Sequence, residues 1–248
     1  MRVLVLGGTA EARALAVALD AAGIVFESSL AGRVSRPRLP VGPVRIGGFG
    51  GADGLARYVA DARVTHIVDA THPFAAGMSA NAVRAGCATG VPVLRLSRPG
   101  WGGRPDAASW RWVPTLPAMR ATAERLGRRP FISSGRQTLG AFASWTDRAA
   151  LVRVVERLEV APPDRWTVIE DRGPYTLDGE LELLRAHDVD VVLTKDSGGS
   201  YTSAKLDAAG RLGIPVVVLS RPPTLPGAAE VTSVGACVER LLAAGAEH

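Results

Sequence analysis

Cysteine, lysine and aromatic side chains are all scarce in this chain, and each shortage excludes something. Two cysteines in 248 residues, Cys87 and Cys237, cannot build a disulfide framework. The four histidines, His66, His72, His187 and His248, stand at no ligand spacing, so no metal site is expected. Cys87 and Cys237 fall in helical patterns and read as small core residues. With no Gly-x-Ser-x-Gly elbow and no reactive-cysteine context, hydrolytic and thiol chemistry find little support. Aromatics make up 5% of the residues and no basic run occurs, so nucleic acid is not an expected partner. No apolar stretch approaches the roughly 18 residues of a membrane span, and no membrane partner is expected. The opening run Met1-Arg2-Val3-Leu4-Val5-Leu6-Gly7-Gly8 is too short for a secretion signal, so a cytoplasmic location is expected.

Lysine is the sharpest shortage. Basic residues number 29 against 24 acidic ones, for a net charge of +5, yet only Lys195 and Lys205 are lysines and the other 27 are arginines. One reading is the compositional bias of a GC-rich genome. The other is a site for a polyanion, because guanidinium groups grip carboxylate and phosphate in a two-pronged fork. What is plentiful is ordinary globular material, 47% hydrophobic and 21% charged, in a length that suits one large domain or two small ones.

Short β-branched runs alternate with alanine-rich helical stretches from end to end. Strands are expected at 2–6, 24–28, 44–46, 66–70, 92–96, 111–113, 130–133, 151–155, 167–170, 189–194, 215–219 and 230–231. Helices are expected at 10–22, 51–62, 77–89, 116–126, 138–145, 178–187, 200–212 and 234–244. The strands are continuous apolar runs, the pattern of parallel strands covered by helices on both faces, which implies an α/β fold.

The chain also repeats itself. Val68-Asp69-Ala70-Thr71-His72-Pro73 aligns with Val191-Val192-Leu193-Thr194-Lys195-Asp196, and Gly90 to Pro99 aligns with Gly213 to Pro222, both at an offset of 123. Seven of the ten positions in the second pair are identical. An offset near half the length predicts two similar α/β halves. Each Ser-Arg-Pro leads into a loop rich in proline and glycine, and beyond each loop lies one more strand and helix. These stay in their own half or cross to the other. With crossing preferred, the first domain is 1–99 with roughly 229–248, and the second is 100–228.

The first strand runs into Gly7-Gly8-Thr9 and then a helix, which sets two glycines and a helix N-terminus where a pyrophosphate sits on free backbone N–H groups. Thr9 is expected to add a hydroxyl donor. Glu27, 20 residues after Gly7, stands where an acid holds the ribose hydroxyls of NAD. Ser28, Ser29, Gly32 and Arg33 at the same edge fit a 2′-phosphate instead. A strand ending at Ser28 turns Glu27 sideways and favours NADP. Gly47-Gly48-Phe49-Gly50-Gly51 suggests either close backbone approach to a ligand or a flexible turn. Asp69-Ala70-Thr71-His72-Pro73-Phe74 ends the fourth strand, where His72 is a candidate proton donor or a loop histidine bonded to backbone. In the second half, Lys195 suggests a role arginine cannot fill. Gly198 and Gly199 before a helix suggest an anion nest. Ser133-Ser134-Gly135-Arg136 suggests either a carboxylate seat or a serine cap.

Gly7-Gly8-Thr9-Ala10-Glu11-Ala12, Ser29-Leu30-Ala31-Gly32-Arg33, Asp69-Ala70-Thr71-His72-Pro73-Phe74-Ala75, the run from Pro92 to Pro99, Thr194-Lys195-Asp196-Ser197-Gly198-Gly199 and Lys205-Leu206-Asp207-Ala208-Ala209 together resemble precorrin-6A reductase of cobalamin biosynthesis over essentially the whole chain. Ser200-Tyr201-Thr202 departs from the small residues expected after Gly199. The resemblance implies two Rossmann-like domains related by internal duplication, with an active-site cleft between them. NADPH would lie on the first, and the ring of a tetrapyrrole polycarboxylate between the two. The implied reaction moves a hydride from nicotinamide C4 to a ring carbon and a proton to its neighbour, turning precorrin-6A into precorrin-6B. Gly7, Gly8 and Thr9 would hold the pyrophosphate. Ser29 and Arg33 would hold the 2′-phosphate, with Glu11, Gly32 and Gly48 also at the cofactor. Thr71 and His72 would border the nicotinamide, with His72 as proton donor and Lys195 also catalytic. Lys195, Ser197, Gly198 and Gly199, with Ser133, Gly135 and Arg136, would hold substrate carboxylates. A monomer or weak homo-oligomer is expected. Two other classes remain open: an S-adenosylmethionine methyltransferase on a Rossmann-like fold with Glu27 on the ribose, and a two-lobed small-molecule binding protein.

Overall fold

Residues 1–32 and 37–246 are described by a computed structural model. The chain divides into two compact units, Met1–Arg98 with Pro222–His248, and Pro99–Arg221.

The first unit carries β1 (Arg2–Leu6), β2 (Val25–Leu30), β3 (Val44–Ile46), β4 (His66–Asp69), β5 (Val93–Leu96) and β12 (Ala229–Val231). All pairings are parallel, in the order β12-β5-β4-β1-β2-β3. Its helices are α1 (Ala10–Ala21), α2 (Gly51–Asp61), α3 (Ala76–Thr89) and α7 (Val234–Ala246). The second unit carries β6 (Arg111–Val113), β7 (Pro130–Ile132), β8 (Leu151–Val154), β9 (Thr167–Glu170), β10 (Val191–Lys195) and β11 (Val216–Leu219). These strands are also all parallel, in the order β6-β11-β10-β7-β8-β9. Its helices are α4 (Leu116–Leu126), α5 (Leu177–Ala186) and α6 (Ala204–Leu212).

The two strand orders match position for position, with the central strand first in each half. Both are the Rossmann-like order. In each sheet the closing edge strand comes from beyond the other half's repeat: β6 follows β5 yet pairs with β11, and β12 follows β11 yet pairs with β5.

Alternation within β1 shows why its run is unbroken. Val3 and Val5 pack with Leu15, Leu19, Phe26, Cys237 and Leu241 on the α1–α7 side. Leu4 and Leu6 pack with Leu55, Val59, Ala82 and Ala85 on the α2–α3 side. Both faces are dry, as a parallel sheet between helix layers requires. In the second unit Phe131, Leu151, Val192, Val216 and Val218 share a core with Trp101, Trp110, Leu184 and Leu206.

Most elements fall within two residues of expectation, and three differences bear on the site. β2 runs to Leu30, two residues past Ser28, because Ser28–Leu30 pair with Val44–Ile46 on the outer side while Ser28 and Ser29 pair with Val5 and Leu6 on the inner side. The helix expected at 200–212 starts at Ala204, because Gly198 and Gly199 both turn left-handed, at φ 68° and 65°, and lead into a turn rather than a helix. The stretch expected to be helical at 138–145 is a 3₁₀ turn, Arg136–Phe142.

Gly86 gives a direct test of the packing. A Cβ there would meet Val93 Cγ2 at 2.4 Å and the Val91 carbonyl at 2.7 Å. Alanine is the better helix former by about 1 kcal/mol, but forced overpacking costs about 1–3 kcal/mol. Gly86→Ala is therefore expected to lower stability by about 1 kcal/mol or more in urea unfolding; a gain in stability would contradict the close approach of α3 to β5.

Candidate functional site

In the first unit the candidate residues gather at the carboxyl ends of β1, β2, β3 and β4. Gly7 donates its N–H to the Ser29 carbonyl at 2.9 Å, which ties the turn after β1 to β2. A Cβ on Gly7 would meet Ala12 Cβ at 3.3 Å, so glycine lets α1 start close to the strand. Gly8 stands at φ 115°, and a Cβ there would meet nothing within 4 Å. The space above it, beside the unpaired N–H groups of the first turn of α1, suits an anion.

Thr9 plays a different part from the expected one. Its hydroxyl donates to the Ala70 carbonyl at 2.9 Å and accepts the Ala12 N–H at 3.0 Å, so it caps α1 and ties it to β4. The hydroxyl proton is already used, and Thr9 offers a ligand its backbone N–H rather than its side chain. Glu11 likewise is engaged: Arg98 donates to it at 2.5 Å. That bond fixes a guanidinium from the end of β5 against the first turn of α1.

Ser29 lies inside β2 and is buried. It shares the Leu4–Leu6 face, because its register partner is Leu6. Glu27 lies three residues before the end of β2 and accepts the Tyr58 hydroxyl of α2. Burial and then the Glu27 contact raise the Tyr58 phenol above its ordinary value. The acid that would grip a ribose is therefore committed elsewhere. Gly32 turns left-handed at φ 70° beside Ile46, while Arg33 lies outside the described residues. Gly48 gives its carbonyl to Arg45, which also donates to the Gly47 carbonyl and lies 4.0 Å over the Phe49 ring. Arg45 thus folds the glycine loop after β3, a role no local motif disclosed.

Asp69 is the buried anchor of the β4 edge. Its Oδ1 accepts the Thr71 N–H at 3.1 Å and the Thr71 hydroxyl at 2.6 Å, and its Oδ2 pairs with Arg95, which in turn reaches Ser79. Thr71 is held by this carboxylate. His72 Nδ1 accepts the Phe74 N–H at 3.2 Å. That bond ties the ring to the turn that leads into α3.

In the second unit the loops after β7 and β10 meet. Lys195 Nζ stands 3.5 Å from where a Cβ on Gly135 would lie, and Gly135 is at φ 94°. Ser133 donates its hydroxyl to the Leu193 carbonyl at 3.2 Å. Arg136 lies 3.9 Å from Glu156 and 3.7 Å from Glu159, beside a cavity of about 420 Å³ lined by Leu139, Val160, Pro163 and Trp166. Ser197 donates its N–H to the Lys195 carbonyl at 2.6 Å. Gly198 is no open nest: a Cβ there would meet Arg221 Nη2 at 2.2 Å and the Pro99 carbonyl at 2.3 Å. The Gly199 carbonyl accepts the Trp101 indole N–H at 2.8 Å. Asp196, buried, accepts the Trp101 backbone N–H at 2.8 Å and pairs with Arg221 at 3.2 Å.

Beneath these loops lies a charge cluster that sequence reasoning passed over. Arg153 and Glu180 form a buried pair at 2.6 Å, with the guanidinium 3.9 Å from the Tyr175 ring. Lys205, also buried, donates to the Thr202 carbonyl at 2.5 Å and lies 5.0 Å over the Trp101 ring. Among the described residues no group of three or more His, Cys, Asp or Glu is placed to hold a metal, and no helix is long and apolar enough to cross a membrane.

Two parallel six-stranded sheets in Rossmann order, one of them with a glycine turn at the carboxyl end of its central strand, define a double Rossmann-like protein. A family profile described as "Precorrin-6x reductase CbiJ/CobK" matches residues 2–242. The precorrin-6A reductase of Rhodococcus erythropolis is 48% identical over 96% of both chains. The cobalt-precorrin-6A reductase of Salmonella typhimurium is 30% identical over 96% of this chain and 95% of its own. A solved structure titled "CobK precorrin-6A reductase" superposes with a TM-score of 0.89 at 39% identity, covering 98% of this chain and 96% of that one. The chain belongs to the precorrin-6x reductase family. Membership favours a reductase over the methyltransferase and the binding protein.

The buried lysine gives this unit a pH signature. Burial pushes Lys205 down from 10.5 to about 7, with Glu180 opposing and Arg153 and Lys195 adding to the shift. Between those values the unfolded chain binds one more proton than the folded one, so stability rises with pH across the window, by up to about 1.4 kcal/mol per pH unit. The melting temperature of the wild-type chain minus that of Lys205→Met is therefore expected to increase from pH 7 to pH 10; parallel curves would contradict a lysine buried in this way.

Proposed function

We propose that this chain reduces one ring double bond of precorrin-6A with NADPH to give precorrin-6B. A reductase family points to a nicotinamide cofactor. The observation that carries the NADPH reading is the Gly7–Gly8 turn, with open space over Gly8 at the start of α1. The residues present fit the cofactor's diphosphate: two glycines without side chains, the backbone N–H groups of Gly8 and Thr9, and the positive end of α1. Tyr58 draws one oxygen of Glu27 toward α2, which favours the 2′-phosphorylated cofactor over NAD and weighs against S-adenosylmethionine. Ser29 of β2 and Arg33 are its proposed partners, with Gly32 and Gly48 at the same edge of the sheet as Ser29.

In this reading the first unit binds the cofactor and the second the substrate. Bound on the first unit, NADPH supplies the hydride that adds to one ring carbon. Thr71, fixed by Asp69, and His72, tied to the Phe74 N–H, orient the reacting groups. The Lys195 ammonium carries the proton that reaches the neighbouring carbon, so that one C=C becomes CH–CH and one NADP⁺ is formed. Lys195, Ser197 and Arg136, with the backbone at Gly135, take the substrate's acetate and propionate groups, while the apolar wall of Leu139 and Trp166 beside Arg136 suits a ring edge. Glu156 and Glu159 stand in for those carboxylates near Arg136.

Thermal shift tests the cofactor assignment. NADPH is expected to raise the melting temperature more than NADH at equal concentration, with S-adenosylmethionine inert. Arg33→Ala is expected to erase most of the difference between the two nicotinamides. Stabilisation by S-adenosylmethionine with NADPH inert would overturn the reading.

A further inference from the structure

The second unit contains both lysines of the chain, and Lys195 alone has a role in the reading above. Lys205 sits in the first turn of α6, with 3% of its surface exposed. Its ammonium donates to the Thr202 carbonyl and lies over the Trp101 ring. Trp101 in turn holds the same loop at two further points: its backbone N–H on Asp196 and its indole N–H on the Gly199 carbonyl. Trp101 and Lys205 thus fasten the loop between β10 and α6 at residues 196, 199 and 202, alongside Arg221 on Asp196, the Leu219 carbonyl on the Asp196 N–H and the Pro99 carbonyl on the Gly199 N–H. Helix geometry does not hold it, because α6 starts only at Ala204 and both glycines are left-handed.

We propose that Lys205 is a positioning residue for the reduction. Resting on the function proposed above, it fastens the loop from Asp196 to Ser203 against Trp101 and so sets Lys195 and Ser197 for the substrate's carboxylates. A lysine suits this place for reasons that arginine does not meet. The ammonium is a compact donor at the end of a thin stem and fits between one carbonyl and one ring face; a guanidinium is a wide fork with five N–H groups to satisfy. An arginine-rich chain that keeps lysine here spends it where the space admits nothing broader.

The arrangement is also sensitive to pH. The charged groups facing Lys205 are Glu180 of α5, Arg153 of β8 and Lys195 of β10, and two of the three are cations. As pH rises through about 7 the ammonium loses its charge, its hold on the Trp101 ring weakens and its bond to Thr202 becomes a neutral one. Affinity for the substrate is expected to fall over that range.

The test is direct titration of precorrin-6A into the wild-type chain, Lys205→Met and Trp101→Phe, followed by absorbance, with NADPH turnover measured alongside. Trp101→Phe keeps an aromatic face for Lys205 and removes the indole N–H together with the five-membered ring, so it serves if Lys205→Met fails to fold. Each variant is expected to weaken the substrate Kd about tenfold and to leave the Kd for NADPH within twofold. The wild-type Kd is expected to weaken from pH 6 to pH 8, while that of Lys205→Met stays flat. Lys205→Met is expected to be at least as stable as the wild type at pH 6, so its loss of affinity is not a loss of fold. Wild-type substrate affinity in both variants would overturn the proposal, as would a wild-type chain that takes up no precorrin-6A. A wild-type chain that binds precorrin-6A but does not oxidise NADPH would overturn the proposed reaction alone, since the ratio of Kd values still reads the loop.

Discussion

Parallel pairing governs both units. A parallel strand must return through a crossover before its neighbour can form, so every loop that leaves a strand's carboxyl end collects along one edge of its sheet. All ten strand pairings among the described residues are parallel. The polar residues of the chain are concentrated where this constraint delivers them. Gly7 and Gly8 leave β1, Thr71 and His72 leave β4, Lys195 leaves β10 and Ser133 to Arg136 leave β7. Below that edge Val3–Leu6 of β1 and Val216–Leu219 of β11 are apolar on both faces and carry little but packing energy.

Buried carboxylates then turn the edge into a rigid surface. Asp69 holds Thr71 and Arg95, and Asp196 holds Trp101 and Arg221. Both are nearly inaccessible to solvent, where an unpaired carboxylate would be costly, so their partners are fixed as firmly as they are. The two halves have put the same skeleton to different chemical use. The repeated Ser-Arg-Pro supplies Arg98 to Glu11 in one and Arg221 to Asp196 in the other. After β1 an α-helix begins at once, with its positive end behind two glycines; after β7 there is only a 3₁₀ turn flanked by Arg136. The first arrangement suits a diphosphate held by backbone, the second a carboxylate held by side chains.

Much of this was legible in the amino-acid sequence. The continuous apolar runs disclosed parallel strands, the offset of 123 disclosed the duplicated fold, and the glycine turn disclosed its own place after β1. What escaped was how side chains are spent. Thr9 looked like a phosphate donor, yet its proton goes to Ala70, 61 residues away. Glu27 stood at the spacing of a ribose ligand but was expected to turn aside, and no spacing showed that Tyr58 would bond it across 31 residues. Arg45 and Arg95 carried no local signature, because their partners are chosen by strand order rather than by spacing. The loop after β10 was misjudged for the same reason: its shape depends on Trp101, almost a hundred residues earlier, and no periodicity records that contact.

The central claim is that a nicotinamide cofactor seated on the first unit gives its hydride to a precorrin ring. Incubating the chain with metal-free precorrin-6A and NADPH deuterated at C4 on the transferred face, followed by mass spectrometry of the product, tests it most directly. The product is expected to gain one deuterium and one hydrogen, with one NADP⁺ formed per ring. A product carrying a methyl group, or no change in mass while NADPH stays reduced, would contradict it.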